Sequence, residues 1–198
     1  MFAPIGIVRN LIESGRPIEP GVEQRFMTIF FADVESFTTV AEQLSSQELS
    51  EQTSHYFEVV TSAVAEEGGT IDKFIGDCVM ALWGAPSDME SNVFPACVAA
   101  LKAHRRMERL NASWAAEGRK QMRVRIGLHC DTVVVGNIGS RARLSYTVMG
   151  DGVNIAARVE GLNKQFGTSI CISENVYDRV STLVVARALG PAAVKGRL

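Results

Sequence analysis

Two aspartates in this sequence each follow or interrupt an apolar run. Asp33 ends "FMTIFFAD", and Asp77 lies within "DKFIGDCVMALWG". A carboxylate in such surroundings is costly unless something pairs with it. Two hard oxygen donors suit Mg²⁺ or Mn²⁺ rather than zinc. Read singly, Asp33 could cap a following helix and Asp77 could be a turn residue. Read together they favour a metal pair. Lys73, four residues before Asp77, is the cation nearest to it in sequence.

A second group lies in "YTVMGDGVNIAARVE", residues 146–160. Gly150 and Gly152 open a helix on which Asn154 and Arg158 share one face. An amide and a guanidinium so placed can orient a sugar and a phosphate; the plainer alternative is a helix-start asparagine and a surface arginine. Lys195, next to Gly196 in "AAVKGRL", could reach a phosphate or simply be solvated. Neither a P-loop nor a dinucleotide-binding glycine turn occurs, so phosphates are held in some other way. His55 and His104 fall on helical stretches as surface or packing residues, and His129 takes no role.

The elements that must position these groups follow from periodicity. "FMTIFFAD" (26–33) suits a buried strand. Ser45 to Glu48 has the capping-box pattern, and Leu49, Tyr56, Phe57, Val60 and Val64 recur at helical spacing until Gly68-Gly69. Residues 70–75 and 78–84 read as strands joined by a tight hairpin at Gly76-Asp77. A long helix fits 91–116, strands fit 123–130 and 133–139, and a helix fits 151–165. A strand at 168–173, a short helix and the apolar run "TLVVARAL" (182–189) follow. This β-α-β-β-α-β order predicts an α+β domain with a ferredoxin-like (split βαβ) core, a mostly antiparallel sheet and helices covering one face. The other face then needs a cover, for which a second copy of the domain is a candidate. In such a unit the first strand neighbours the hairpin, so Asp33 and Asp77 can meet at one sheet end.

The chain has 198 residues, 46% of them apolar and 21% charged, as in a globular domain with a real core. A net charge of −2 gives no field to gather nucleic acid. Residues 1–24 hold three prolines and three glycines and read as an arm or linker ahead of a domain at 25–198. No apolar run is long enough for a signal peptide or membrane span. The four scattered cysteines form no C-x-x-C pair, and a reducing cytoplasm is the expected compartment.

Five blocks, "FFADVESFTT", "DKFIGDCVMALWG", "RVRIGLHCDTVVVGNIG", "YTVMGDGVNIAARVE" and "VKG", resemble in order and spacing the class III nucleotidyl cyclase catalytic domain. The resemblance covers about 26–197. It implies an adenylate cyclase that converts ATP to 3′,5′-cyclic AMP and pyrophosphate with two Mg²⁺ or Mn²⁺ ions per site. It casts Asp33 and Asp77 as metal ligands, with the Val34 carbonyl as a third. Lys73 and Thr147 would read the adenine, Asn154 would orient the ribose, and Arg158 would stabilise the transition state. Lys195 and an arginine in "GSRARLSY", either Arg141 or Arg143 with Arg143 favoured, would bind phosphate. Metal ligands and base-reading residues would come from different protomers of a head-to-tail homodimer, so Lys73 and Asp77 would serve different active sites. Bicarbonate is the effector that the Thr147 subgroup suggests. A catalytically silent nucleotide-binding regulatory domain and a guanylate cyclase are the alternatives; Lys73 disfavours the latter. Two features depart from the family: Glu35-Ser36 stands where a neutral or basic residue and glycine are commoner, and the chain stops three residues after Lys195.

Overall fold

The computed structural model describes residues 21–140 and 143–192. Strand β1 (Gly21–Val34) leads into a short helix α1 (Phe37–Ala41) and a long helix α2 (Ser46–Glu66). The hairpin β2 (Thr70–Ile75) and β3 (Cys78–Trp83) follows, then α3 (Val93–Ala116), β4 (Val124–Ser140), β5 (Arg143–Met149), α4 (Asp151–Phe166), β6 (Ile170–Ile172) and α5 (Glu174–Val180). The sheet order is β2-β3-β1-β4-β5, antiparallel throughout, with β6 pairing parallel to β4. The α+β class and the central hairpin are as the sequence predicts.

Local signals hold where they are strong. Ser45 Oγ accepts from the Glu48 amide at 3.3 Å, and Glu48 accepts from the Ser45 amide at 2.9 Å, which closes the capping box at the head of α2. Tyr56, Val60, Ala63 and Val64 of α2 then pack with Ala96, Ala99, Ala100, Ala103 and Met107 of α3 over Phe30, Ala32 and Val34 of β1. The Tyr56 hydroxyl donates to the Ala32 carbonyl at 3.0 Å, so the one polar atom it carries into this layer is satisfied.

Several boundaries differ. The first strand takes in residues 21–24, which composition places in the arm, because each of them pairs with β4 (Gly21 with Asn137 through Gln24 with Val134). The two strands expected at 123–130 and 133–139 are one, β4. Asp131 and Thr132 look like a break, yet they stay opposite Met27 and Phe26, and Asp131 Oδ1 accepts from the Thr132 amide at 2.8 Å. "TLVVARAL" forms no strand, and Leu183 and Val185 are exposed.

The expectation that helices cover one face only is also corrected. Alternation along β1 sends Met27, Ile29 and Phe31 to the second face, where they bury with Met80, Leu82, Val133, Val135, Val148 and Ala156 of α4. What lets α4 lie this close is Gly127. A Cβ there would fall inside the van der Waals envelope of the Glu160 backbone.

Candidate active site

At the end of β1, Asp33 meets the tip of the β2–β3 hairpin. Gly76, with φ 65°, turns the chain there and presents Asp77, whose carboxylate accepts the Val34 backbone N–H at 3.1 Å. Arg125, opposite Asp33 across the β1–β4 ladder, places Nη2 3.3 Å from Asp33 Oδ2. Its Nε lies 3.2 Å from Glu160 Oε1 but is not aligned for a hydrogen bond. Two carboxylates, Asp33 and Glu160, thus share one guanidinium, with Asp77 beside Asp33 and Glu160 only 12% exposed. Burial, then Asp77, then Glu160 push the Asp33 carboxyl up to about 7 against the pull of Arg125. Burial likewise raises Glu160.

Among the described residues no group of three or more His, Cys, Asp or Glu side chains is arranged to hold a metal ion. The Asp33–Asp77 pair is nonetheless a fitting seat for a hard divalent cation. Its donors are oxygens, its negative charge is under-compensated, and Mg²⁺ is commonly held by one or two carboxylates with the rest supplied by water and phosphate.

A second cluster joins the two edges of the sheet. Lys73 on β2 donates from Nζ to Thr147 Oγ1 on β5 at 2.9 Å, although β2 and β5 stand at opposite ends of the strand order. The sheet therefore curls until its edges meet. Thr147 is 8% exposed and its hydroxyl donates to Asp72 Oδ2 at 2.9 Å, while Lys73 Nζ is 3.3 Å from the same oxygen. A register shift between Ile71 and Lys73 marks a bulge at Asp72, which brings two consecutive side chains to one cluster. Burial raises the Asp72 carboxyl, opposed by the hydrogen bonds from Thr147 and Lys73.

The predicted residues therefore fall into two groups with no side chain in common. Asp33 and Asp77 come together, with Val34 between them, and Lys73 meets Thr147. Lys73 and Asp77, four residues apart in sequence, stand in different clusters. Asn154, exposed, and Arg158, half-buried, lie one turn apart on α4. Arg143 opens β5, and Arg141 and Lys195 lie outside the described residues. Sequence reasoning missed Asp72, Arg125 and Glu160. Arg125 carried a readable signal, as a charge inside the apolar run "RVRIGLHC"; Asp72 and Glu160 carried none.

No helix among the described residues is long and apolar enough to cross a membrane. Known proteins agree with this architecture. "Adenylate cyclase 1" of Rhizobium meliloti (strain 1021) is 40% identical over the whole of this chain, and "Adenylate cyclase" of Anabaena cylindrica is 36% identical over 91% of it. The chain spans only 30% and 36% of those two proteins. The crystal structure of the adenylyl cyclase CyaB from P. aeruginosa superposes with a TM-score of 0.83 at 30% identity, covering 90% of this chain and 91% of that one. That of the guanylyl cyclase Cya2 gives 0.82 at 29% identity, covering 90% and 89%. The sequence also matches the family described as "Adenylate and Guanylate cyclase catalytic domain" over residues 22–198, and the chain belongs to that family.

Proposed function

We propose that this domain is an adenylate cyclase, converting ATP to 3′,5′-cyclic AMP and pyrophosphate at sites shared between two copies of the chain. The observation that carries the reading is the Lys73–Thr147 contact. Adenine presents a ring-nitrogen acceptor beside an exocyclic amine donor, and an ammonium next to a hydroxyl oxygen complements that pair. Fold alone does not choose the base, since adenylyl and guanylyl cyclase structures superpose almost equally well.

In this reading the base docks against Lys73 and Thr147 of one protomer, and Asn154 on the next helix orients the ribose. Arg158, one turn further, offsets the charge that develops on the α-phosphate, a preorganised role worth roughly 3–4 kcal/mol by comparison with other oxyanion donors. Lys195 and Arg143 bind the remaining phosphates. The 3′-oxygen bonds to the α-phosphorus, the bond to the bridging oxygen breaks, and pyrophosphate leaves as the hydroxyl proton passes to water. Asp33 and Asp77 of the other protomer, with the Val34 carbonyl, would hold the metal ions. Two Mg²⁺ or Mn²⁺ bound there would activate the 3′-hydroxyl and neutralise the triphosphate. Phe74 (50% exposed), Ile75 (54%) and Met149 (56%), on strands that carry the base-reading residues, offer apolar surface for the partner copy.

The test is incubation with Mg²⁺ or Mn²⁺ and ATP or GTP, measuring cyclic product from wild type and Asp77→Ala. Cyclic AMP from the wild type and a loss of at least a hundredfold in the variant are expected. Activity that survives the substitution would overturn the metal assignment, and no product from either protein would favour a silent nucleotide-binding domain. Bicarbonate added to the same assay is expected to raise turnover; an unchanged rate removes it as an effector.

A further inference from the structure

We propose that Asp72 is a positioning residue for base selection: its carboxylate fixes the direction of the Thr147 hydroxyl hydrogen, so that this hydroxyl can only accept from the nucleotide. The inference rests on the reading of Lys73 and Thr147 as the base-contacting pair.

The argument is one of hydrogen-bond capacity. A threonine hydroxyl carries one hydrogen and two lone pairs, a lysine ammonium only donates, and a carboxylate only accepts. Thr147 Oγ1 lies 2.9 Å from Asp72 Oδ2 and 2.9 Å from Lys73 Nζ. The hydroxyl hydrogen must point at Asp72, and one lone pair is taken by Lys73. What remains for a ligand is a single lone pair. That surface attracts the exocyclic amine of adenine and repels the 6-carbonyl of guanine, which needs a donor.

Without Asp72, the hydroxyl would rotate freely and could donate to that carbonyl, and selectivity would fall although both base-contacting residues were intact. The carboxylate is well placed to hold this arrangement. The Asp72 side chain is only 1% exposed, so water does not compete for its oxygen, and the bulge at Asp72 puts it beside the residue that follows it. The 3.3 Å approach of Lys73 Nζ to the same oxygen also restrains the ammonium. Burial pushes the Asp72 carboxyl up, but the hydrogen bonds from Thr147 and Lys73 favour the charged, acceptor-only form.

The measurement is kcat/KM for ATP and for GTP in wild type, Asp72→Ala, Asp72→Leu, Asp72→Asn and Thr147→Ala, with the Asp72→Ala/Thr147→Ala double variant. Leucine has nearly the shape of aspartate without an acceptor, so it carries the test if the alanine variant fails to fold. We expect the ATP/GTP ratio to fall tenfold or more in Asp72→Ala and Asp72→Leu. Asparagine retains an acceptor oxygen and should restore most of the ratio, and Asp72→Ala should add little to Thr147→Ala. A ratio that falls in Thr147→Ala but stays at the wild-type value in the folded Asp72 variants would overturn the role of Asp72. A ratio unmoved by Thr147→Ala would instead overturn the base-reading assignment beneath it.

Discussion

Asp33→Asn should make the metal-free protein more stable while abolishing its activity. Asp33 is buried beside Asp77 and Glu160 with only Arg125 to offset them, and its carboxyl rises from 3.8 to about 7. The folded state therefore holds a proton that the unfolded chain releases above pH 3.8, so stability falls as pH rises through the window 3.8–7 and the loss is complete above it. At ~1.4 kcal/mol per pH unit the full effect is roughly 4 kcal/mol. The side chain keeps 27% of its exposure, which places the gain from asparagine at about 2–4 kcal/mol. Urea unfolding of both proteins in chelator, from pH 4 to pH 8, reads this as a difference curve. The variant should be more stable at pH 8 and the advantage should fade towards pH 4. Saturating Mg²⁺ or Mn²⁺ should close the gap by stabilising the wild type alone, by ~2.7 kcal/mol at a hundred times Kd. No gain at pH 8, or a gain of equal size at every pH, would refute the account of Asp33 as an under-compensated carboxylate awaiting a cation.

Other substitutions probe other parts of the molecule. Lys73→Glu with Thr147→Cys should weaken the preference for ATP over GTP, read as the ratio of cyclic products; unchanged discrimination would sink the base-reading assignment. In that variant Asp72 would face a carboxylate in place of an ammonium, so adding Asp72→Asn should raise its activity on GTP. Gly127→Ala should push α4 away from β4 and cost about 1–3 kcal/mol in denaturant unfolding. A variant as stable as wild type would mean that this close approach does not hold α4 in place.

How much the sequence disclosed depended on how local each signal was. The capping box at Ser45 and Glu48 and the turn at Gly76-Asp77 are settled within a few residues, and both stand as expected. Asp33 and Asp77 meet because a split βαβ order makes β1 the neighbour of the hairpin, a consequence of topology that periodicity reaches. The sequence splits β4 at Asp131-Thr132 because a polar pair resembles a break, whereas a ladder with β1 that runs on past both sides carries the strand through. Asp72 was out of reach. Its role needs a bulge beside Lys73 and a partner 75 residues away, and neither leaves a mark in the run "TIDKFI". Glu160 was equally silent, since its approach to Arg125 depends on how closely α4 sits over Gly127.

The two clusters stand in opposite energetic states. The Lys73–Thr147 side is satisfied before any ligand arrives: Lys73, Thr147 and Asp72 already hold one another, although Lys73 and Thr147 stand 74 positions apart in sequence. The conformational cost of ordering a long lysine side chain is then carried by folding rather than by binding, and the hydroxyl meets the nucleotide already oriented. The carboxylate side is the reverse, with the Asp33 carboxyl pushed up to about 7 by burial and then by Asp77 and Glu160, against the partial offset of Arg125. In the proposed reading, base choice would fall to a preformed surface, while phosphate chemistry would fall to a surface that becomes favourable only when loaded. A perturbation of the first should alter which nucleotide is used and leave the response of stability to metal unchanged. A perturbation of the second should alter stability and metal response together. The β2–β3 hairpin belongs to both, through Asp72 and Lys73 on its first strand and Asp77 at its tip, so it is the segment in which the two effects can be separated residue by residue.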